Sequence, residues 1–493
     1  MKISIDKSSK VPVYLQIADQ IKAQIISGAL PRLSALPSER ALAQILDVHR
    51  NTVVKAYGEL KSDAWIESRQ GVGYLVASAS TEKEPVGESG EGVQMGRVNW
   101  VNEVADKYLD MEKTFDDLFQ RFTDESHFSL GSGIASREVY SSERVAHDIA
   151  GLLTGSGPSQ YFFSPYKGDR FLRQKLASFL GTKGVRASSG EIQILSETNQ
   201  ALDFIVTLLV KPGDSVVMEE PVHPDMYRVM ELAGARILTV PVDEDGMNCD
   251  VLESLLTQTR PRLIFVNSSF HDPTGCILSL ERRKKLVELS SRYRIPIVEE
   301  DAASELVYDG DKLPPIKAFD TTGNVIYIYS FSLTFIPGLS LAFVTGNRDF
   351  VRALSYLVSV RLMASDWMTQ KLLGMYLDDG SYYSSLATFR EIYSGNRDLV
   401  CQKLDALAHL GVRYERPRGG VYVWCRLPDG VDSKHFINRA YNMGVTLIPG
   451  HVFYPYKNGG RDYIRINYSY ESRERLACGM DVLHKALEEE LEE

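Results

Sequence analysis

The chain has 493 residues, of which 44 % are hydrophobic and 24 % charged, so it is neither disordered nor fibrous and is long enough for two or three domains. A net charge of −10 is too acidic for a protein that coats nucleic acid along its whole length. No apolar run approaches the roughly 20 residues that cross a bilayer, and the start Met1-Lys2-Ile3 shows no signal peptide. We therefore expect a cytoplasmic protein without a membrane partner. Five scattered cysteines without a Cys-x-x-Cys pair favour reduced thiols and no metal site.

Charge and composition divide the chain into three parts. Residues 77–100 are small, polar and acidic, which is typical of a linker. The segment 1–76 before them carries ten Lys and Arg against seven Asp and Glu, a net charge of +3 that leaves −13 for the remainder. We predict a basic domain over 1–76, a linker over 77–127 with an amphipathic helix near 101–125, and a large domain over 128–493.

The first part has the pattern of a helix-turn-helix. Its first helix is predicted from apolar residues at helical spacing: Tyr14, Ile17, Ile21 and Ile25. A second helix begins after Ser38, a suitable N-cap, with Leu42, Ile45 and Leu46 expected to face the core. A short turn leads to a third helix from Arg50, and residues 64–76 predict two strands around a glycine-bearing turn. This layout is that of a DNA-binding helix-turn-helix followed by a wing.

Three motifs in this part resemble the winged helix-turn-helix of GntR-type regulators: Leu36-Pro37-Ser38-Glu39-Arg40, Arg50-Asn51-Thr52-Val53 and Ser68-Arg69-Gln70-Gly71-Val72-Gly73. The resemblance implies a double-stranded DNA operator as partner, contacted by Arg40, His49, Arg50, Thr52, Arg69 and Gly71. Arginine binds phosphate or reads guanine bidentately, and glycine allows close approach of the backbone to phosphate. For any one of these charged residues taken alone, the alternative is a solvated helix face.

From residue 128 the pattern alternates between helices and short apolar strands. Helical periodicity covers 200–210, 225–233 and 279–293, and β-branched apolar runs cover 215–218, 263–266, 295–298, 325–328 and 341–344. Buried strands between helices predict an α/β domain with a largely parallel sheet. From about residue 385 a helix near 386–409 and strands at 421–424 and 463–466 predict a smaller α+β subdomain.

This domain resembles fold-type I aminotransferases, and specifically the MocR subfamily of regulators, in which such a domain follows a GntR-type head. The resemblance is carried by Ser196-Glu197-Thr198-Asn199, Glu219-Glu220-Pro221-Val222-His223-Pro224, Asp272-Pro273-Thr274-Gly275, Val298-Glu299-Glu300-Asp301, the segment 330–340 and Tyr463-Ile464-Arg465-Ile466-Asn467. It implies a homodimer and pyridoxal phosphate (PLP) as the family cofactor. The implied pocket residues are Thr198, Asn199, His223, Asp272, Glu300, Ser330, Ser332, Ser340 and Arg465.

Several positions depart from that family pattern. The position of the lysine that carries PLP is Leu333, which has no nucleophilic nitrogen, so we predict no covalent cofactor and no catalytic residue. Ser340 stands where the family has a phosphate-binding arginine, and Glu300 replaces the aspartate that pairs with the pyridine nitrogen. Glu197, in place of a small glycine, either repels a phosphate or turns to solvent. Hydroxyl and amide groups remain, so binding of PLP without a covalent bond stays open.

Two pocket residues keep alternative interpretations. Arg465 matches the family clamp for a substrate carboxylate, which implies a small carboxylate or amino-acid effector, or it pairs with a neighbouring Asp or Glu. His223 either covers a planar ring or is a structural histidine.

Three functions follow from these patterns. The first is a transcription regulator whose aminotransferase-like domain dimerises and senses an effector without transaminase activity. The second is a PLP-dependent aminotransferase with an attached DNA-binding head. The third is a constitutive DNA-binding scaffold whose second domain holds no ligand.

Overall fold

The structure, a computed structural model, describes residues 3, 5, 12–26, 30, 34–46, 48–62, 65–69, 73–76, 121, 126–136, 138–155, 165–336, 338–362 and 366–492. The chain divides into two compact units, Met1–Val98, here called the head, and Asn99–Glu493, here called the body. The amphipathic helix predicted near 101–125 lies outside the described residues except for Arg121, which is helical, and Gly71 also lies outside them.

The described residues of the head form three helices and a two-stranded wing: α1 Val13–Ile26, α2 Glu39–Ile45, α3 Arg50–Ser62, β1 Ile66–Arg69 and β2 Gly73–Val76. Ser38 is the N-cap of α2, because its hydroxyl accepts a hydrogen bond from Ala41 N at 3.2 Å. Its core consists of side chains from all three helices, namely Ile17, Ile21, Leu42, Val53, Tyr57 and Leu60.

One core prediction for the head is wrong. The side chain of Ile45 is 71 % exposed, whereas Leu42 is fully buried and Leu46 half-buried. The seven-residue helix α2 is only two turns long, and Leu42 and Ala43 occupy the side that faces α1 and α3. Ile45, in the last turn, is therefore left on the outer side.

Tyr57 and Tyr74 join the wing to the helices. Tyr57 donates a hydrogen bond to Pro37 O (2.8 Å) and packs edge-on against Tyr74, with ring centroids 4.9 Å apart. Tyr74 donates to Glu39 Oε1 (3.1 Å), and Leu36 N donates to Tyr74 O (2.8 Å). The start of α2 and strand β2 are thereby held in one arrangement.

The body contains the following strands: β3 Phe128–Ser129, β4 Ile192–Leu195, β5 Ser215–Glu220, β6 Arg236–Asp243, β7 Gly246–Met247, β8 Ile264–Asn267, β9 Ile297–Asp301, β10 Val325–Ser330, β11 Ala342–Thr345, β12 Arg413–Tyr414, β13 Tyr422–Arg426, β14 Val445–Thr446, β15 Ile448–Pro449 and β16 Tyr463–Asn467. Its α-helices are α4 Ser142–Gly155, α5 Arg170–Thr182, α6 Thr198–Leu209, α7 Pro224–Leu232, α8 Cys249–Gln258, α9 Leu280–Tyr293, α10 Arg348–Arg361, α11 Trp367–Asp378, α12 Ser381–Asp405, α13 Ser433–Asn442 and α14 Arg473–Leu491.

An eight-stranded sheet forms the centre of the body, in the order β4-β11-β10-β9-β8-β5-β6-β7. The pairs among β10, β9, β8, β5 and β6 are parallel, while β11 is antiparallel to both of its neighbours. Every residue of β9 and β10 is buried, as expected for strands covered by helices on both faces. The predicted α/β fold with a mainly parallel sheet is confirmed. Segments that leave the carboxyl ends of these strands share one edge of the sheet, where α/β proteins bind ligands.

A smaller antiparallel sheet, in the order β12-β13-β16-β15, follows α12, and α13 packs against its strand β15. Its strand β13 pairs with β16 so that Trp424 lies opposite Arg465 and Tyr422 lies opposite Asn467. This register sets Arg465 and Tyr422 near each other at the boundary with the larger sheet. None of the helices in the described residues is long and apolar enough to cross a membrane.

Candidate functional site

A cavity of about 140 Å³ lies at the carboxyl edge of the large sheet. It is lined by side chains from the starts of α6 and α7, from the segments after β8, β9 and β10, and from β13: Gly133, Thr198, His223, Met226, Asn267, Phe270, Asp272, Glu300, Ala302, Ala303, Ser332, Leu333 and Tyr422. Parallel strands bring these distant segments together because their carboxyl ends meet at the same edge.

Most of the predicted pocket residues meet at this cavity. Five line it, together with Leu333: Thr198, His223, Asp272, Glu300 and Ser332. Ser330 lies behind Ser332 and donates a hydrogen bond to its hydroxyl at 3.1 Å.

The other predicted residues lie outside the wall of the cavity. Asn199 is exposed, and its amide donates to Asp225 Oδ2 at 3.3 Å. Ser340 is half-buried and is not among the described residues of the wall. Glu197 is exposed at the N-cap of α6, which corresponds to the alternative in which its carboxylate turns to solvent.

Arg465 is occupied by an acid of the same chain. Its side chain is 2 % exposed, and Nη1 lies 2.7 Å from both carboxylate oxygens of Asp272. Nη2 donates to Gly131 O at 2.9 Å, and the guanidinium lies 4.2 Å from the ring centroid of Tyr422. Burial lowers the pKa of Arg465, but the Asp272 carboxylate more than offsets this, so the pKa rises and the group stays charged. The geometry is that of the second alternative for Arg465, a pair with a neighbouring acid.

The position of Asp272 in the fold explains how its carboxylate reaches Arg465. Asp272 follows β8 at the carboxyl edge of the large sheet, while Arg465 lies on β16 of the smaller sheet. Both oxygens of this carboxylate contact Nη1, which a ligand carboxylate would otherwise contact. Another carboxylate must therefore displace Asp272 before it can bind Nη1 of Arg465.

Glu300 is the second acid of the cavity and is almost fully buried. Its Oε2 accepts a hydrogen bond from Asn267 Nδ2 at 2.5 Å. Burial, the largest cause, and the nearby Asp301, Asp272 and Glu299 together raise the pKa of Glu300 to about 8. At neutral pH the group mostly keeps its proton and presents a neutral carboxyl to the cavity.

We expect Glu300→Gln to make the body more stable than the wild type at pH 9 and nearly equally stable at pH 4. In the unfolded chain Glu300 ionises near its ordinary value of 4.5, whereas the folded state holds the proton until about pH 8. The folded state therefore binds more protons between these values, and this group lowers stability as the pH rises through that window. The difference at pH 9 should be on the order of 4 to 5 kcal/mol. Unfolding by urea at both pH values measures it, and equal curves at pH 9 would contradict the assignment.

His223 is half-buried and forms the N-cap of α7, since its Nδ1 accepts a hydrogen bond from Asp225 N at 3.3 Å. Its Nε2 lies 3.9 Å from Asp272 Oδ2. The ring thus forms part of the cavity wall and also caps a helix, which is a structural role, while the covering of a planar ring stays a prediction.

The residues of the wall do not fit a covalently attached PLP. Leu333, 5 % exposed, offers only an aliphatic side chain, and no Lys or Arg is among the described lining residues. Two acids, Asp272 and Glu300, face the cavity, and the nearby guanidinium of Arg465 is already paired. A dianionic phosphate would find hydroxyl groups and the N-terminus of α6 here, without a free cation in this wall.

A buried lysine beneath the site was missed from the sequence. The Lys183 side chain is fully buried, and Nζ lies 2.6 Å from Ser304 Oγ, 2.7 Å from Glu305 Oε1 and 3.6 Å from Asp301 Oδ2. Asp301 follows Glu300 on β9 and points to the opposite face of the strand. The run Glu299-Glu300-Asp301 in a buried strand is the available signal, because buried acids need cationic or hydrogen-bonding partners.

The head presents the predicted DNA-contacting residues near the starts of α2 and α3. Arg40, His49 and Arg50 are exposed and Thr52 is half-buried. Nδ1 of His49 accepts a hydrogen bond from Asn51 N at 3.2 Å, and Arg50 forms an exposed ion pair with Glu39 at 3.0 Å.

The wing contributes the remaining predicted DNA contact that the structure describes. Arg69 ends β1 opposite Gly73, which has a φ of +98°, a conformation that glycine adopts readily.

Comparison with known proteins gives two matched regions. The model of bacterial regulatory proteins of the gntR family matches residues 13–76, and that of aminotransferase class I and II matches residues 125–481. The HTH-type transcriptional regulator YisV of Bacillus subtilis is 27 % identical over 96 % of this chain and 96 % of its own. The "Probable rhizopine catabolism regulatory protein MocR" of Rhizobium meliloti is 28 % identical, covering 90 % of this chain and 88 % of its own. A crystal structure of Pyrococcus horikoshii kynurenine aminotransferase with PMP matches with a TM-score of 0.75 and 27 % identity. The match covers 80 % of this chain and 98 % of the aminotransferase chain.

Fold and sites together define a regulator with a winged helix-turn-helix head and a body of the aminotransferase type. The chain belongs to the class I and II aminotransferase family, and its GntR domain at 13–76 gives it the same organisation as MocR.

Proposed function

We propose that this regulator binds operator DNA through its head and uses its body as a dimerisation and effector-sensing module without transaminase activity. The observation that carries the proposal is the cavity itself, where Leu333 occupies the position of the cofactor-bearing lysine and Asp272 fills the Arg465 clamp. Residues 1–76 of the head carry +3 and the remainder of the chain −13, so electrostatics favour DNA contact by the head alone.

Operator binding should depend on Arg50. Arg50→Ala is expected to weaken specific binding by about 1 to 3 kcal/mol, because an arginine at the start of the recognition helix contacts base edges or phosphate. The fold should be unaffected, since the only partner that the structure shows for its guanidinium is Glu39 in an exposed ion pair of little energetic value. Fluorescence anisotropy with an operator fragment at fixed salt measures the change.

A matched control for this variant is Arg352→Ala. Arg352 is also an exposed arginine in an ion pair, with Asp349 at 3.2 Å, but it lies on α10 of the body. We expect the control to bind DNA like the wild type. Equal affinity of Arg50→Ala and the wild type would refute the assignment of α3 as the recognition helix.

The catalytic alternative is tested by the cofactor. Full-length protein mixed with PLP and reduced with borohydride should yield no adduct on a peptide of this cavity wall, because the wall offers no lysine amine in the described residues. An adduct on a peptide of the wall would support a PLP-dependent aminotransferase with a DNA-binding head. The match with kynurenine aminotransferase is the observation that keeps this alternative worth testing.

A sensing role needs a ligand that favours one conformation of the protein. The cavity of about 140 Å³ suits a small molecule with few atoms, and its neutral Glu300 and paired Asp272 favour polar ligands. Amino acids, small carboxylates and B6 vitamers are the compounds to screen by thermal shift. A ligand that binds the folded state raises the unfolding temperature by mass action, whereas a ligand-free scaffold shows no shift.

Two heads on one dimer would contact paired half-sites of an operator. In a symmetric dimer of the body each protomer brings one head, so two recognition helices reach the DNA together and their spacing matches palindromic half-sites. An effector then acts by changing the population of the dimer conformation in which that spacing fits the operator.

A further inference from the structure

A second and larger cavity of about 490 Å³ lies in the body between α7, the start of α13 and the segment 451–461. Its wall consists of Tyr227, Arg228, Glu231, Asp432, Lys434, His451, Val452, Pro455, Lys457 and Arg461. It shares no lining residue with the cavity that holds Leu333. Nothing in the proposed regulator function assigns a role to it.

Positive charge dominates this wall. Four cations (Arg228, Lys434, Lys457 and Arg461) face two acids, Glu231 and Asp432, in a chain that is acidic as a whole. The wall therefore carries a net charge of about +2 with His451 neutral. Such a local excess of one sign attracts small ligands of the opposite charge.

Part of this charge is not neutralised within the protein. Arg228 lies 3.8 Å from Asp225, and Arg461 forms a long contact with Asp432 at 3.6 Å. Lys434 and Lys457, by contrast, are exposed and form no ion pair with any carboxylate in the part of the chain that the structure describes. Both lysines thus remain available to an anion in the cavity.

His451 adds an independent indication of a ligand. Its Nδ1 is buried and has no hydrogen-bond partner among the described residues, which is costly unless something binds there. Burial lowers the pKa of His451, and Lys434, Lys457 and Arg461 lower it further, opposed by Asp432. The imidazole is therefore neutral at pH 7 in a field that favours an anion.

The backbone next to it is also unusual. Lys457 has a φ of +53°, a conformation that non-glycine residues seldom adopt. Its amide donates to Tyr454 O at 2.9 Å, so that the turn 454–457 holds the lysine at the rim of the cavity. Residues held in such conformations cluster at ligand-binding sites.

We propose that this cavity binds a small dianion of the phosphate monoester class, with Lys434 and Lys457 as its main charged contacts. A phosphate monoester carries close to two negative charges at pH 7 and three strong acceptor oxygens, which suits a wall of net charge about +2 with several N–H donors. The volume leaves room for the organic part of the ester. The site does not depend on DNA binding by the head.

The cavity is also connected to the first one through short contacts. Tyr227 donates a hydrogen bond to Val452 O at 3.0 Å, and Val222 N donates to Phe453 O at 2.8 Å. Phe453 covers the Arg465 guanidinium at 5.2 Å from its ring centroid. A ligand that moves the segment 451–453 would therefore act directly on the Arg465–Asp272 pair.

Calorimetric titration of the full chain with glycerol 3-phosphate tests the proposal. We expect saturable binding with one site per chain, weakened at least about tenfold in Lys434→Gln/Lys457→Gln. The control Lys211→Gln/Lys485→Gln, which removes two exposed lysines elsewhere in the body, should bind like the wild type. All four lysines are exposed, and an unchanged unfolding temperature verifies that each variant is folded.

Four outcomes would overturn the proposal. The first is no saturable binding, and the second is equal loss of affinity in both double variants, which would indicate general charge attraction. The third is binding of succinate but not of glycerol 3-phosphate, which would assign the cavity to dicarboxylates. The variant Arg50→Ala should bind the phosphate ester normally, and a loss there would place the ligand on the head instead.

Discussion

Replacing Lys183 by methionine is expected to destabilise the body by about 3 to 5 kcal/mol at pH 7. The substitution preserves much of the apolar stem but removes the ammonium group that contacts Glu305 at 2.7 Å and lies 3.6 Å from Asp301. Both acids are buried, so at least one charge is left without its cation. Hydrogen exchange of the amides in β9 and β10 of the full chain measures the loss.

The stability loss of Lys183→Met should change with pH in a direction that follows from the pKa values of Asp301 and Glu305. Burial raises the pKa of Asp301, but the Lys183 ammonium and hydrogen bonds from Ser304 and Tyr327 more than offset it, so the pKa lies below its ordinary value. The pKa of Glu305 is lowered in the same way by Lys183 and Lys312. In the wild type this stabilisation is present above the ordinary carboxyl values near 4 and is lost as the pH falls through the lower folded values. In the variant, burial without the ammonium raises the pKa of both acids, so protonation at pH 5 relieves part of the loss and the deficit should be larger at pH 8 than at pH 5.

Two further variants separate charge from packing. Lys183→Met/Asp301→Asn should recover part of the lost stability, because Glu305 keeps its contacts with Lys312 and Arg390. Lys485→Met, at a position on α14 whose side chain is 70 % exposed, should change stability by less than about 0.5 kcal/mol. If the double variant is as unstable as Lys183→Met, the loss comes from packing and the electrostatic explanation is wrong.

Replacing Asp272 by alanine is expected to cost a similar amount, about 3 to 5 kcal/mol, because Arg465 is left charged and buried without an acid. Asp272→Asn should cost less, since its amide oxygen still accepts a hydrogen bond from Arg465. The control Asp349→Ala removes an acid from an ion pair that is 80 % exposed and should change stability by at most about 1 kcal/mol.

Small carboxylates provide a second measurement on the same variant. Formate has the size of the deleted carboxyl group, so it should bind Arg465 in Asp272→Ala and raise its unfolding temperature. The wild type should show no such shift, because Asp272 already occupies the guanidinium. A variant that neither loses stability nor responds to formate would contradict the pairing of Asp272 with Arg465.

Much of the fold follows from local patterns in the sequence. The apolar β-branched runs at 215–218 and 325–328 are buried strands, and the parallel sheet follows from the helices that alternate with them. Ser38 caps α2 as its residue type and position predict. The misplacement of Ile45 shows the limit of periodicity, since a helix of two turns has too few positions to define which face is buried.

The residues of the cavity that holds Leu333 were predictable only in part, because local motifs do not specify where each side chain points. Motifs at strand ends identified Thr198, His223, Asp272 and Glu300, because the ends of parallel strands meet at one edge. Asn267, which also ends a strand of this sheet and bonds to Glu300, carries the same signal and was overlooked. Ser340 and Asn199, taken from the same motifs, do not reach the cavity wall, because a motif does not specify the direction of each side chain.

By itself the sequence determined the basic head, the α/β body, the family resemblance and the leucine at position 333, all of which depend on residue type and local order. Tertiary structure alone decided the pairing of Arg465 with Asp272, the burial of Lys183 with Asp301 and Glu305, and the basic cavity around His451. These interactions join residues separated by more than a hundred positions or collected from several segments. Their energies depend on distance and burial in three dimensions, which residue order along the chain does not encode in any local pattern.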